Sequence, residues 1–225
     1  MEHLQNGLTL RIPQGCFPLS TDSMLLCDFI KLPKNARVMD LGSGCGTLGL
    51  LLCAKDPGCQ VTGIEIDPAA HAAALDNISR NGLDGRLYSL CADLRGISAG
   101  NYDLCISNPP YYSGGPASRI AATARRDDYC TTEELFAAAS RCVKFGGDFY
   151  LVHKPENLAQ LCFLATQNGL EPKRLRLVHH KDGGEVSLVL LSCRKGARPG
   201  LVIEEVTLHQ ADNTPTAYYK SVYHL

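Results

Sequence analysis

Four consecutive residues, Asn108 to Tyr111, place an amide, two prolines and an aromatic ring directly after a short apolar run. The run Tyr102–Ser107 predicts a buried strand, and Pro109 and Pro110 prevent the chain from continuing as strand or helix. The amide of Asn108 is therefore expected at the open end of a strand, where α/β sheets bind ligands. An amide oxygen and a backbone carbonyl can together accept two N–H bonds from one planar NH2 group, on which the ring of Tyr111 could stack. The pattern suits an exocyclic amine or a carboxamide nitrogen, and an ordinary turn containing Asn-Pro-Pro is the alternative.

A second group of residues lies upstream, where a glycine-rich loop follows a predicted strand and opens a helix. Asp40 precedes the loop, and glycines at 42, 44 and 46 would let the backbone approach a ligand closely. Glu65 is expected at the end of the next strand, where a carboxylate can bind both hydroxyls of a ribose. Asp93 is expected at the end of the third strand, where the carboxylate or the backbone beside it could accept a hydrogen bond from an adenine 6-amino group. These positions predict that the site binds adenosine.

The identity of the adenosine cofactor depends on Asp40. Gly44, Gly46 and Gly49 match the G-x-G-x-x-G pattern of dinucleotide sites, which leaves a nicotinamide cofactor as one candidate. A carboxylate beside the loop is unfavourable for a pyrophosphate but suits a cationic ligand that carries an ammonium and a sulfonium. S-adenosyl-L-methionine is such a ligand, and we expect it here. A tight strand–helix turn without a ligand is the alternative.

The order of predicted elements gives the fold class. Strands and helices alternate from residue 37 to residue 168, and a strand pair at 174–180 and 185–193 follows, joined by a Lys-Asp-Gly-Gly turn. This order predicts an α/β fold with a mainly parallel sheet, one antiparallel strand and helices on both faces. We expect residues 1–225 to form a single domain, with 1–34 as an N-terminal strand and helix and 199–225 as a C-terminal tail.

Composition limits the class of protein. The chain has 225 residues, a formal net charge of −1 and eleven scattered cysteines without a CxxC pair. We expect a reduced cytoplasmic protein without disulfides, without a signal peptide and without a membrane span. His179 and His180 are adjacent in a predicted strand and would face opposite ways, so no metal site is expected. A monomer is expected.

Three of these segments resemble a known family. Residues 40–46 (Asp-Leu-Gly-Ser-Gly-Cys-Gly), 63–67 (Gly-Ile-Glu-Ile-Asp) and 107–112 (Ser-Asn-Pro-Pro-Tyr-Tyr) resemble the class I S-adenosylmethionine-dependent methyltransferases with an NPPY motif. Residues 17–26 and Ala124-Arg125 are similar to segments of the bacterial tRNA(Val) adenine-N6 methyltransferases, and so is the tail that ends in tyrosines. The resemblance covers most of the chain.

The resemblance implies a seven-stranded Rossmann-like fold and methylation of an adenine beside the anticodon. It implies that Thr21 and Asp22 close over the cofactor and that Asn108 and Pro109 hold the 6-amino group. It also implies that Tyr111 stacks on the base. The resemblance further implies that the cofactor is bound by the glycine loop and the two strand-end acids, at Gly42, Gly44, Gly46, Glu65 and Asp93.

Several basic residues are candidates for phosphate contacts, which would make RNA binding salt-dependent. An ordinary solvated surface is the alternative. The candidates are Arg119, Arg125, Arg126, Lys173, Arg174, Arg176 and Lys181.

Three rival functions share the same motifs. NPPY sites also occur in enzymes that methylate a glutamine amide of release factors, but those carry an additional N-terminal helical domain. Ribosomal RNA guanine-N2 methyltransferases also act on an exocyclic amine, and usually show Phe where Tyr111 stands here. A non-enzymatic RNA-binding module with a degenerate cofactor site is the third, and the intact glycines and acids argue against it.

Overall fold

The computed structural model describes residues 2–110 and 130–223. Two short strands, β1 (Glu2–His3) and β2 (Thr9–Leu10), pair antiparallel near the N-terminus. The other eight described strands form one sheet. They are β3 (Arg37–Leu41), β4 (Gln60–Glu65), β5 (Leu87–Cys91), β6 (Tyr102–Ser107), β7 (Val143–His153), β8 (Leu170–Lys181), β9 (Val186–Lys195) and β10 (Val202–His209).

The sheet is mainly parallel, as predicted. Its strand order is β10-β8-β9-β7-β6-β3-β4-β5, and only β9 runs antiparallel to its neighbours, β7 and β8. The chain moves from β3 outward through β4 to β5 and then returns to place β6 on the other side of β3. The carboxyl ends of β3 and β6 therefore flank the switch point at which open α/β sheets bind ligands.

Helices cover both faces of the sheet. They are α1 (Thr21–Phe29), α2 (Thr47–Lys55), α3 (Pro68–Arg80), α4 (Thr132–Cys142), α5 (Leu158–Gln167) and α6 (Ala217–Tyr223). Alternate strand residues enter two separate cores, because successive side chains point to opposite faces. Val38 and Ile106 pack with α1, α2 and α3, while Met39 and Cys105 pack with α4 and α5.

Local capping fixes where the helices begin. The side chain of Ser20 accepts a hydrogen bond from the backbone N–H of Ser23, and α1 starts directly after Ser20, at Thr21. Thr131 and Glu134 form a reciprocal capping box at the start of α4. Pro68 opens α3 behind Asp67, whose side chain accepts from Ala69 N–H.

The C-terminal segment differs from the expected tail. Residues 202–209 add β10 as an eighth strand of the sheet, and residues 217–223 form α6. Glu204 stands mid-strand and breaks the apolar pattern of β10, but it accepts hydrogen bonds from the guanidinium groups of Arg174 and Arg176 on β8. The charge that obscures the strand in the sequence is thus paired across the sheet.

Candidate functional site

The glycine loop between β3 and α2 adopts a backbone that favours glycine. Gly42, Gly44 and Gly46 have φ values of 76°, 54° and 83°, all in the left-handed region. The carbonyl oxygen of Ile64 on β4 accepts hydrogen bonds from the N–H groups of Gly42 and Ser43, each at 3.0 Å. The loop is therefore held against the carboxyl end of the neighbouring strand.

Asp40 lies beneath this loop and is 1% exposed. Neither of its carboxylate oxygens has a hydrogen-bond partner among residues 2–110 and 130–223. Burial, with a smaller contribution from the charge of Glu65, raises the pKa of Asp40 to about 8. A buried carboxyl group without partners is unfavourable unless a donor or a cation completes it. Asp40 lines the same pocket as Gly42, Gly44 and Asn108, so a ligand in that pocket could supply the missing donors.

Glu65 connects the end of β4 to the loop. Its two carboxylate oxygens accept from the backbone N–H groups of Gly44 at 2.7 Å and Asp67 at 2.8 Å. Each carboxylate oxygen can accept more than one hydrogen bond, so these contacts leave capacity for hydroxyl donors. Glu65 thus has a structural contact that the sequence did not indicate, and its ribose contact stays a prediction.

Asp93 is engaged with its neighbour Arg95. Its side chain accepts from the backbone N–H of Arg95 and pairs with the guanidinium group, with Nε to Oδ2 at 2.8 Å. The side-chain hydrogen bond from Arg95 contributes most to holding the pKa of Asp93 below its usual range. Asp93 follows β5 at the sheet edge expected from sequence, but it is not among the residues that line the pocket with Asp40.

Asn108 lies at the carboxyl end of β6, as predicted, and also lines the pocket. Its side-chain amide donates to Oγ of Ser23 on α1 at 3.0 Å. Pro109 and Pro110 follow β6 without regular secondary structure. Tyr111 falls outside the described residues.

The N-terminal segment contributes to the pocket through residues that sequence reasoning missed. Phe17, Pro18 and Ser23 line it, and Phe17 is 67% exposed. Thr21 and Asp22, predicted to close over the cofactor, form the first turn of α1, beside Ser23. Thr21 accepts a hydrogen bond from the hydroxyl of Tyr223 at 2.8 Å. The contact between Ser23 and Asn108 spans 85 positions in sequence, so only the fold could reveal it.

The predicted RNA-binding residues that the structure describes do not form one surface. The side chains of Arg174 and Arg176 are 18% and 11% exposed, and both pair with Glu204. Arg176 also binds Asp28 on α1 at 2.7 Å. Both guanidinium groups therefore have partners within the fold, and the geometry does not support an RNA contact for either. The Nζ of Lys173 donates to the carbonyl of Arg198 near the amino end of β8.

Lys181 is placed differently, because it is the last residue of β8, which runs in the same direction as β6. Lys181 therefore lies on the same side of the sheet as Asn108, at the carboxyl ends of the parallel strands. Its RNA contact stays a prediction. Arg119, Arg125 and Arg126 lie outside the described residues.

Within the parts of the chain that the structure describes, no group of three or more His, Cys, Asp or Glu side chains could hold a metal ion. None of the helices there has the length and apolar character needed to cross a membrane.

Comparison with known proteins places this site in a family. The methyltransferase small domain family matches residues 18–161, which include the glycine loop, Glu65, Asp93 and Asn108. The chain belongs to this family. A Bacteroides fragilis member, a tRNA1(Val) (adenine(37)-N6)-methyltransferase, is 31% identical over 202 residues, covering 85% of this chain and 84% of the relative. This relative confirms the narrower resemblance seen in the sequence.

Solved structures of methyltransferases share the fold. A predicted O-methyltransferase from Agrobacterium tumefaciens superposes with a TM-score of 0.76 at 21% identity, covering 91% of this chain and 96% of that one. Geranyl diphosphate C-methyltransferase from Streptomyces coelicolor gives a TM-score of 0.59 at 13% identity, covering 77% and 76%. The latter was crystallised with S-adenosyl-L-homocysteine, Mg2+ and geranyl diphosphate. These likenesses confirm the Rossmann-like fold class.

The family is S-adenosyl-L-methionine-dependent, and the pocket of this chain fits that cofactor. The unpartnered carboxylate of Asp40 is suited to the positively charged part of such a ligand. Gly42 and Gly44 line the pocket and add no side chain to it. Glu65 provides a carboxylate at the end of the adjacent strand.

Proposed function

We propose that this methyltransferase transfers a methyl group to the exocyclic N6 of an adenine in tRNA. The observation that carries the proposal is the placement of Asn108 in the same pocket as Asp40 and the glycine loop. An acceptor for an amine thereby lies beside the proposed cofactor site. The name of the Bacteroides fragilis relative supports tRNA as the substrate class and adenine as the base.

Cofactor binding is assigned to residues around the loop. Asp40 would hold the ammonium group, Gly42, Gly44 and Gly46 would admit the ligand along the backbone, and Glu65 would accept from the ribose. Asp93 would contact the adenine of the cofactor through the backbone beside it, because its carboxylate already binds Arg95. Thr21 and Asp22 would close the N-terminal side of the site. The bound S-adenosyl-L-methionine supplies a methyl group activated on a sulfonium sulfur.

Asn108 and the residues after it would orient the target amine. The side-chain oxygen of Asn108 and the carbonyl of Pro109 would each accept one N–H bond from the 6-amino group. This arrangement directs the nitrogen lone pair toward the methyl carbon. Pro110 stiffens the backbone after these acceptors, and Tyr111 would stack on the base.

The chemistry requires alignment more than a strong base. With S-adenosyl-L-methionine held by Asp40, the glycine loop and Glu65, its methyl group would pass from sulfur to N6, and the methylated nitrogen would release a proton to water. Correct alignment of two reactants can contribute up to about 7–11 kcal/mol to lowering a barrier. The target base must leave its stack to enter the pocket, at a cost of a few kcal/mol that is smaller for a loop base than for a paired one.

A tRNA substrate agrees with a cytoplasmic location and with phosphate contacts from basic side chains. Lys181 is the predicted contact that the structure supports best, because it shares the sheet edge with Asn108. Lys173 is a second candidate for a phosphate contact, near the amino end of β8. Arg119, Arg125 and Arg126 belong to the same proposal.

A panel of acceptors tests the substrate. Purified protein and labelled S-adenosyl-L-methionine are incubated separately with unmodified bacterial tRNA, unmodified ribosomal RNA and a release factor. We expect label in tRNA as N6-methyladenosine. Label as N2-methylguanosine in ribosomal RNA, or as methylglutamine in the release factor, would keep the transfer chemistry and overturn the substrate.

A further inference from the structure

Four aromatic side chains of the C-terminal half form a continuous row of ring contacts, of which only the pair Tyr219–Tyr223 is stacked and the other two pairs are tilted. The ring centroids of His180 and His209 are 5.0 Å apart, those of His209 and Tyr219 are 4.9 Å apart, and those of Tyr219 and Tyr223 are 4.5 Å apart. We call these four residues the ring ladder. They come from three elements, β8, β10 and α6, that are separate in sequence.

One end of the ring ladder reaches the proposed active site. The hydroxyl of Tyr223 donates to Oγ1 of Thr21, the first residue of α1. Two residues further along α1, Ser23 lines the pocket and binds Asn108. The ladder and the pocket are thus linked through the first turn of α1.

The other end of the ring ladder is exposed, and it lies on the side of the sheet where the parallel strands have their carboxyl ends, as the pocket does. β8 and β10 run parallel to each other, and β8 runs in the same direction as β7 and β6 because β9 reverses the chain direction between them. The carboxyl ends of β8 and β10, which carry His180 and His209, therefore lie on the edge that carries Asn108. His180 is exposed, whereas the other three rings are half-buried.

The rings of the ladder have two different roles. Tyr219 has a ring on each side, and Tyr219 and Tyr223 pack against the core, so these two help to dock α6. His180 ends the row and lies at the surface, where a docking role would not require an aromatic side chain. The neighbouring His179 contacts none of the other rings that the structure describes, and its side chain binds the carbonyl of Gly184 and the carboxylate of Glu205 instead.

Positive charge accompanies the exposed end. Lys181 follows His180 directly, and Lys220 lies on α6 beside Tyr219. Neither ammonium group pairs with a carboxylate among residues 2–110 and 130–223. Asp182 meets the ladder through its backbone N–H, which donates to the carbonyl of His209. Aromatic rings flanked by cations are the usual way in which proteins bind unpaired bases and the phosphates between them.

We propose that the ring ladder is a stacking site for an RNA base close to the target adenine, with His180 as the side chain that contacts it. The inference rests on the proposed function. When one base leaves the stack to enter the pocket, its neighbours in a loop lose a stacking partner. The ring ladder begins with Tyr223 beside α1 and ends with His180 at the surface, so it offers such a base a new stacking partner.

The test measures RNA binding apart from methyl transfer. The dissociation constant of a fluorescein-labelled unmodified tRNA transcript is measured by anisotropy for the wild type and for His180→Ala, His180→Phe and His179→Ala. Base stacking on a ring corresponds to about 5- to 150-fold in the dissociation constant. We expect His180→Ala to weaken binding within that range, His180→Phe to retain most of it, and His179→Ala to have little effect. Cofactor affinity and melting temperature should stay unchanged in His180→Ala.

Ultraviolet crosslinking of the same transcript locates the base directly. We expect a nucleotide adduct on the peptide that contains His180. Wild-type binding by His180→Ala, or equal weakening by the two alanine variants, would overturn the ladder proposal. If the wild type methylates tRNA and His180→Ala still binds normally, the ladder fails and the proposed function stands. If no RNA is methylated, the proposed function fails, and the binding and crosslinking data still decide on the ladder.

Discussion

The side-chain amide of Asn108 donates a hydrogen bond over 3.0 Å to Oγ of Ser23, a buried hydroxyl that also lines the pocket. With the NH2 group directed at Ser23, the amide oxygen points away from α1. That oxygen is the atom proposed to accept from the target amine. Ser23 would therefore act as a positioning residue, which holds Asn108 in one of its two amide orientations.

Replacing Ser23 tests this relationship. Ser23→Ala removes the acceptor, and one net hydrogen bond of about 0.5–1.5 kcal/mol corresponds to a 2- to 12-fold effect. We expect kcat to fall by that factor, because the amide would lose its fixed orientation, while KM for tRNA stays close to the wild-type value. Ser23→Thr keeps the hydroxyl and should restore activity. Equal activity of the alanine variant would remove the positioning role.

The pH dependence of cofactor binding should follow Asp40, whose pKa of about 8 is raised by burial and by Glu65. A cationic ligand favours the ionised carboxylate, so binding must release the proton at lower pH. Below pH 8 we therefore expect the affinity for S-adenosyl-L-methionine to rise with pH, by up to about tenfold per unit. Calorimetric titration between pH 5.5 and 7.5, a window set by this pKa, would measure it. Asp40→Asn should bind more weakly and lose most of this dependence.

The same group affects stability in the absence of cofactor. The folded protein holds the proton of Asp40 more tightly than the unfolded chain does, because the pKa of this carboxyl group is about 8 in the fold and 3.8 ordinarily. The resulting stabilisation is present below pH 4 and is lost as pH rises toward 8. The free energy of unfolding of Asp40→Asn should depend less on pH across this window, as measured by urea denaturation. Identical pH profiles for the variant and the wild type would contradict the assignment.

Gly63 on β4 is needed because the cofactor loop approaches it closely. A Cβ at this position would lie 2.5 Å from Oγ and 2.7 Å from Cβ of Ser43. Gly63→Ala should displace the loop, destabilise the protein by about 1–3 kcal/mol and weaken cofactor binding. Gly96→Ala is the matched control, since a Cβ there meets nothing within 4 Å. Thermal melting and cofactor titration of both variants would test the difference, and equal behaviour would argue against close approach.

Replacing Arg176 should affect stability, whereas replacing Lys181 should affect tRNA binding. Arg176 is nearly buried and bridges Asp28 and Glu204, which are both more than a third exposed. Arg176→Ala should therefore cost about 1.5–3 kcal/mol of unfolding free energy. Lys181→Ala should leave stability unchanged. It should weaken tRNA binding and reduce the slope of log affinity against log salt by about one. Stability and salt titrations of the two variants separate a structural role from a phosphate contact, and a salt slope unchanged in Lys181→Ala would exclude that contact.

The sequence was sufficient for the fold and the centre of the site because those features depend on local patterns. Apolar runs and glycines in the sequence predict the alternating strands and helices. The capping side chains of α1, α3 and α4 act on backbone groups only two or three residues away. The strand order then placed Asp40 and Asn108 in one pocket, as expected for residues at the carboxyl ends of adjacent parallel strands.

The features that sequence analysis missed depend on contacts between distant segments. β10 was not recognised because Glu204 interrupts its apolar pattern and is neutralised by arginines on β8. The same pairing explains why a basic segment in the sequence became a structural network in the fold. Ser23 carried no local signal, since its partner is 85 residues away.

The central claim is that Asn108 presents an amine acceptor beside the cofactor, and nucleoside mass spectrometry of tRNA tests it most directly. Wild-type protein and Asn108→Ala are incubated with S-adenosyl-L-methionine and unmodified bacterial tRNA, and cofactor binding is measured for both. We predict N6-methyladenosine with the wild type, and its loss in the variant with cofactor binding largely retained. N6-methyladenosine formed equally by both proteins, or by neither while both bind the cofactor, would contradict the account.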